Sequence, residues 1–425
     1  MTLTTGEIDN HDGVIIGTGK TTITGGKLKN QRGTLASKTD ALELSVNETD
    51  NSGGLLHSAG KLTLNTNGHT LTNENSDDQS GIRSQDDMLI TSGDLHNQAG
   101  IIASHKIATL NTAAVNNTQG TLTGTQQIEL TTQAFNNLKG IVRTDGKLSL
   151  NTQGQRLDNN GDKDKSSEFS ARGDLRLDIG ELNNDTGFIA ADGKTDITGT
   201  TLTNNNGRIA GNGGLEIHSQ TLTNRSGTLQ SAETITIDTN KQLLDNQHGR
   251  IIGDNGTTVT SGKLDNRYGH IQGGKLVIDT GQADTDNQDG KLLSTDTMDL
   301  DTQQLDNRHG QIKAVGDAAI NAQKQTNNTG GFIHGNQQLA LNTAKLINRE
   351  TNHPDQGTEA QNLIIKAQQV DNTQGALRGA NSLQTIVSQT LNNTQGLISG
   401  GKRLTIEDED QKLTVNNQKG TLIAK

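Results

Sequence analysis

Apolar residues return along this chain at a fixed distance, with polar residues between them. The signature is apolar-x-Asn-x-x-Gly-x-aliphatic, as in IDNHDGVI from Ile8, LHNQAGII from Leu95, LTNNNGRI from Leu202, LDNRYGHI from Leu264 and LNNTQGLI from Leu391. The asparagines that anchor it run Asn10, Asn30, Asn51, Asn73, Asn97, Asn117, Asn137, Asn159, Asn184, Asn204, Asn224, Asn246, Asn266, Asn287, Asn307, Asn328, Asn348, Asn372, Asn393 and Asn417. Their mean spacing is about 21 residues, a period typical of solenoid repeats.

Between anchors the pattern alternates with period two, as in KLTL from Lys61, KLSL from Lys147 and KLVI from Lys275. That alternation is a strand signature. Each repeat then reads as three short strands: one with an aliphatic two residues before Asn, one with an aliphatic five residues after it, and one with an L-x-L pair further on. A repeat this short with no helical stretch has no room for a βαβ crossover. It predicts one turn of a parallel β-helix, all-β and right-handed by the general bias of parallel crossovers, with about 20 coils over residues 1–425 as a single domain. Asn and Gly suit a corner: Asn tolerates left-handed backbone and can ladder between coils, while Gly supplies positive φ or close approach. Asn204, Gly207, Asn224, Gly227, Asn266, Gly269, Asn307 and Gly310 are read as such structural corners.

Three anchors lack the glycine, with Ser76, Asp162 and Thr351 in its place, and each is followed by a polar insertion: residues 74–80, 160–173 and 349–356. All leave the coil at one corner, where loops on a rigid scaffold commonly bind. Asp162, Lys163, Asp164, Lys165, Glu168 and Phe169 of the second insertion are the expected partner contacts.

Composition narrows the rest. With 28% hydrophobic residues and 51 glycines the chain lies near the disordered class, but register kept from end to end argues against disorder. That share is about six apolar residues per coil, enough for one narrow core. A net charge of -11 and 1% aromatic content offer neither a basic stripe nor stacking rings for nucleic acid. No apolar run is long enough to span a membrane, and residues 1–10 lack the features of a signal peptide. There is no cysteine, so neither disulfides nor thiolate chemistry enter.

Candidate chemistry is sparse. Asp-x-Asp pairs (Asp299/Asp301, Asp284/Asp286, Asp162/Asp164) would share a strand face, as clustered carboxylates do in glycan-cleaving β-helices, but no basic residue recurs beside them as a clamp. They read as solvated surface. His248, His270 and His309 follow their anchors without forming a closed zinc set. No catalytic residue, metal site or cofactor is expected, and an enzyme acting on polysaccharide is the less favoured alternative.

The signature L-[DNT]-N-x-x-G-x-[IL] followed by G-x-L-x-[LI]-x-T, seen at Leu264, Asn266, Gly269, Ile271, Gly274, Leu276, Ile278 and Thr280, resembles the haemagglutinin repeat. That repeat builds filamentous haemagglutinin and the large exported effectors of contact-dependent growth inhibition. The resemblance implies a β-helical filament exported by an outer-membrane two-partner-secretion transporter and displayed at or shed from a Gram-negative cell surface. It further implies a structural or adhesive shaft, or a receptor-binding or toxin-delivery segment, that meets a cell-surface receptor or glycan. On this reading the chain is a piece of a longer filament whose ends further coils would cover.

Overall fold

A computed structural model describes residues 1–162, 166–408 and 411–424. These residues contain only strands and turns, with no helix among them. The chain divides into two compact units of nearly equal size, Met1–Gly213 and Gly214–Lys425, each built the same way. Every strand pairing is parallel and joins residues about one repeat apart. In the first unit Leu35 lies against Leu56 and Leu148 against Leu175; in the second Leu244 lies against Leu264 and Ile271 against Leu292. Each unit is therefore a parallel β-solenoid, and each holds ten anchor asparagines.

The period-two pattern sets which side chains turn inward. In the coil of Asn266, Leu264, Ile271 and Leu276 are 0% exposed and Ile278 is 1% exposed, while the alternating residues face out. The expected inward positions before and after the anchor and in the L-x-L pair are the ones buried. A further inward column is present in the sequence: the fourth residue of the post-glycine strand is always small, as at Ser231, Gly253, Gly273 and Ser294 in successive coils. The chain bends there over its own next strand, so a Cβ on Gly253 would lie 2.2 Å from the carbonyl oxygen of Gly256.

The corner differs from its expectation in one respect. The anchor asparagine is not left-handed; the residue two positions later is. Its φ lies near +55°, as at Ala99 (50°), Gln119 (58°), His248 (56°) and Tyr268 (56°). Gly269 donates its N–H to the Asn266 carbonyl at 3.0 Å and so closes the turn. The glycine has ordinary negative-side backbone, and its lack of a side chain answers to close approach. A Cβ on Gly269 would fall 2.3 Å from the Asn246 carbonyl of the preceding coil and 2.5 Å from Asn266 Oδ1.

Asparagine is required because it is buried. In each unit the anchors form a ladder: Asn30 Nδ2 donates to Asn51 Oδ1 at 2.7 Å, and Asn51 to Asn73 at 2.8 Å. Likewise Asn246 donates to Asn266 and Asn266 to Asn287, both at 2.7 Å. The same amide also reaches the carbonyl of its own corner glycine, as from Asn30 to Gly33 at 3.2 Å. A buried carboxamide unable to make these bonds would carry its full desolvation cost. Repetition turns a polar liability into a specific register between coils.

Candidate functional site

Where an insertion replaces the corner glycine, the ladder beneath it continues. Asn73 still donates to Asn97 at 2.7 Å, Asn159 to Asn184 at 2.7 Å and Asn348 to Asn372 at 2.8 Å. The loops therefore stand on an uninterrupted scaffold. At the third, Thr351 is fully buried; its hydroxyl donates to the Asn348 carbonyl and accepts from the Ala376 N–H, both at 3.1 Å.

Two loops return to the coil through glycines with unusual backbone, Gly81 (φ 97°) and Gly357 (φ 103°). A side chain on Gly81 would also meet the Ile101 carbonyl at 2.4 Å. From there each strand rejoins the stack, Gly81 opposite Leu55 and Gly357 opposite Phe332. An arginine then holds each loop down over the outward face of the post-glycine strands. Arg83 donates from Nε to the Ser80 carbonyl at 2.8 Å and from Nη2 to the Asp77 carbonyl at 3.1 Å. Arg378 donates from Nη1 to the Gln356 carbonyl at 2.8 Å. The sequence gives little warning of these clasps, since each arginine is simply an outward strand residue.

The second insertion is shorter than its expected 160–173. The strand Glu168–Ala171 is already paired with Ile141–Thr144, Phe169 opposite Val142. Phe169 is corrected as a partner contact: it occupies the inward position after the anchor, is 0% exposed, and packs edge-to-face on Phe135 with centroids 5.4 Å apart. Alternation along the strand sends it inward. Glu168 faces out and is gripped by Arg143, which donates from Nε at 2.8 Å and from Nη2 at 2.6 Å. Burial raises the Glu168 carboxyl, but the hydrogen bonds from Arg143 and Ser170 outweigh it and the net shift is downward. Asp162 is ion-paired with Lys139 of the preceding coil. Lys163, Asp164 and Lys165 lie outside the described residues.

Beside the third loop a groove of about 720 Å³ opens, lined in part by His334, Glu359, Arg378, Leu397 and Ser399. His334, Glu359 and Arg378 stand at one register position of consecutive coils. Glu359 lies 3.2 Å from His334 Nδ1 and 3.7 Å from Arg378 Nη1. The hydrogen bond from His334, followed by the charges of His334 and Arg378, holds its carboxyl below the ordinary glutamate range.

Among the described residues, the Asp-x-Asp carboxylates are engaged one by one with different neighbours. Asp299 lies 3.7 Å from Lys275 and Asp301 accepts from Asn321 at 2.8 Å, both in exposed positions. Asp286 accepts from Gln288 at 3.0 Å. The three histidines have separate surroundings: His248 stacks on Tyr268, His270 lies 3.2 Å from Gln272 Oε1, and His309 packs beside Gly330. Among the described residues no three metal-ligating side chains gather, and no helix is long and apolar enough to cross a membrane.

Residues 1–41, 39–167, 170–247, 232–285, 280–344 and 321–352 match the model of the haemagglutinin repeat. No curated protein and no solved structure matches the chain. Past the last matched segment the same ladder runs on, from Asn372 to Asn393 and from Asn393 to Asn417, each at 2.7 Å.

Proposed function

Since the chain belongs to the haemagglutinin-repeat family, we propose that it is a structural and adhesive shaft of a large secreted surface filament, which contacts a cell-surface receptor or glycan through its corner loops. The observation that carries this reading is the continuity of the buried asparagine ladder beneath each loop. The loops can vary without disturbing the coil that presents them, which suits a stalk with contact points at intervals. Export would use the two-partner-secretion transporter of a Gram-negative outer membrane, and a toxic or binding domain elsewhere in the filament would be held away from the producing cell.

Within the same family, a receptor-binding segment of a contact-dependent inhibition effector is favoured if one loop dominates. The arginine clasps support such a role, because a loop held in one conformation loses less entropy on binding. Both readings are tested by binding the purified, fluorescently labelled protein to a panel of bacterial and epithelial cells. Variants with residues 75–80, 160–166 or 350–356 shortened to the ordinary corner are compared with it. Partial loss from each shortening supports distributed adhesion, and complete loss from one supports a receptor segment. Unchanged binding in all three would remove the loops from the function.

A further inference from the structure

The chain has one tyrosine and no tryptophan, and that tyrosine is 58% exposed. Tyr268 stands at the left-handed corner position of its coil, and His248 stands at the same position of the coil before it. Their rings are parallel within 4° with centroids 4.9 Å apart, about the spacing of neighbouring strands. One face of the tyrosine ring is covered by histidine, so its exposure belongs mainly to the opposite face. The corner of the following coil carries Asp289, short and exposed. One coil further, His309 packs on Gly330, where a Cβ would lie 2.6 Å from its Nδ1. The rung beyond Tyr268 thus bears a carboxylate where its neighbours bear rings.

The cations along this edge are already engaged. Arg225 lies 2.6 Å from Asp245, Arg267 2.7 Å from Asp265 and Arg308 2.7 Å from Asp306. Gln247 and Gln288 alternate with these arginines and donate to Asp265 and Asp286 at 3.0 Å. An anionic ligand would have to displace an aspartate from its arginine. A ring that offers an apolar face to Tyr268 and hydroxyl donors to Asp289 meets both groups as they stand.

From this arrangement we infer that Tyr268, backed by His248 and flanked by Asp289, is a binding site for a neutral pyranose of a glycan chain. The sugar stacks its C–H face on the free side of the tyrosine ring. Its hydroxyls donate to the Asp289 carboxylate, and the side chain of Gln288 in the same coil supplies a further polar contact. The site is separate from the corner loops, so it stands or falls independently of the loop-contact reading.

The test uses the whole chain in solution. Tyrosine emission reports on Tyr268 alone, and it is followed while neutral galactose- and N-acetylglucosamine-terminated oligosaccharides are titrated to millimolar concentration. A heparin fragment and an oligolysine peptide serve as charged comparators. A saturable change with a neutral sugar is expected. Asp289→Ala, which keeps the reporter, should weaken it at least tenfold, and Tyr268→Ala should abolish binding measured by calorimetry. Ala99 occupies the equivalent left-handed position in its own coil, so both variants should keep the β-sheet circular dichroism of the parent. The inference is overturned if no neutral sugar gives a saturable change, if both variants bind as the parent does, or if only heparin or oligolysine responds.

Discussion

Gly100 lies so close to the coil beneath it that a Cβ would sit 1.8 Å from the carbonyl oxygen of Asn73. The residue just before it, Ala99, has φ of 50° and carries a side chain at a position where glycine would be unstrained. Two adjacent residues thus make opposite demands. Gly100→Ala forces backbone apart and should destabilise by about 1–3 kcal/mol. Ala99→Gly relieves left-handed strain and should stabilise by about 0.5 kcal/mol, after the entropy cost of glycine in the unfolded chain is subtracted. Urea denaturation of both variants checks the signs; stabilisation by Gly100→Ala would contradict the close-approach account.

The ladder makes a second prediction. Asn266 accepts from Asn246 and donates to Asn287, so Asn266→Leu leaves a buried donor on one neighbour and a buried acceptor on the other. A loss of about 2–4 kcal/mol is expected, from one unsatisfied group on each side. Because coils contact mainly their neighbours, hydrogen exchange should accelerate most in the coils of Asn246, Asn266 and Asn287. Uniform acceleration throughout the chain would argue against nearest-neighbour coupling.

Phe169→Ala should cost about 3–5 kcal/mol, the usual result of opening a cavity at a buried aromatic. Its contact with Phe135 lies inside the coil, so any loss of partner binding should track loss of folded protein. Thermal melting and binding measured on the same samples separate the two. Weakened binding with an unchanged melting curve would restore Phe169 as a contact.

Glu359 gives a pH dependence. The hydrogen bond from His334, and the charges of His334 and Arg378, lower its carboxyl in the folded protein. A carboxyl lowered on folding stabilises above its unfolded value, and that contribution fades as pH falls through the folded one. The window therefore lies in acid, below the ordinary glutamate range. Hydrogen exchange around residues 357–360 should rise as pH is lowered through it, after correction for intrinsic exchange, and Glu359→Gln should flatten the dependence. A rise centred near neutrality would point to another group.

The repeat itself was legible in the sequence because burial in a solenoid is one-dimensional. Each strand alternates, each coil contacts the next, and spacing along the chain becomes spacing along the axis. The inward columns through Leu264, Ile271, Leu276 and Ile278 followed directly, as did the asparagine ladder. The small-residue column through Gly253 and Gly273 was equally present in the sequence, carried by a regular seventh position after Asn. Phe169 departs from its expected place because a polar run on either side hides the point at which alternation resumes.

Tertiary structure decided what depends on distances between coils. Sequence left Gly269 open between positive φ and close approach; only the position of the Asn246 carbonyl, 2.3 Å from where a Cβ would stand, chose between them. It likewise could not pair Arg83 with the carbonyls of Asp77 and Ser80, or lay Tyr268 parallel to His248. Pattern fixes which way a side chain points and in which coil it lies. How far it reaches, and what it meets there, depends on the local path of the backbone at each corner, which no periodicity encodes.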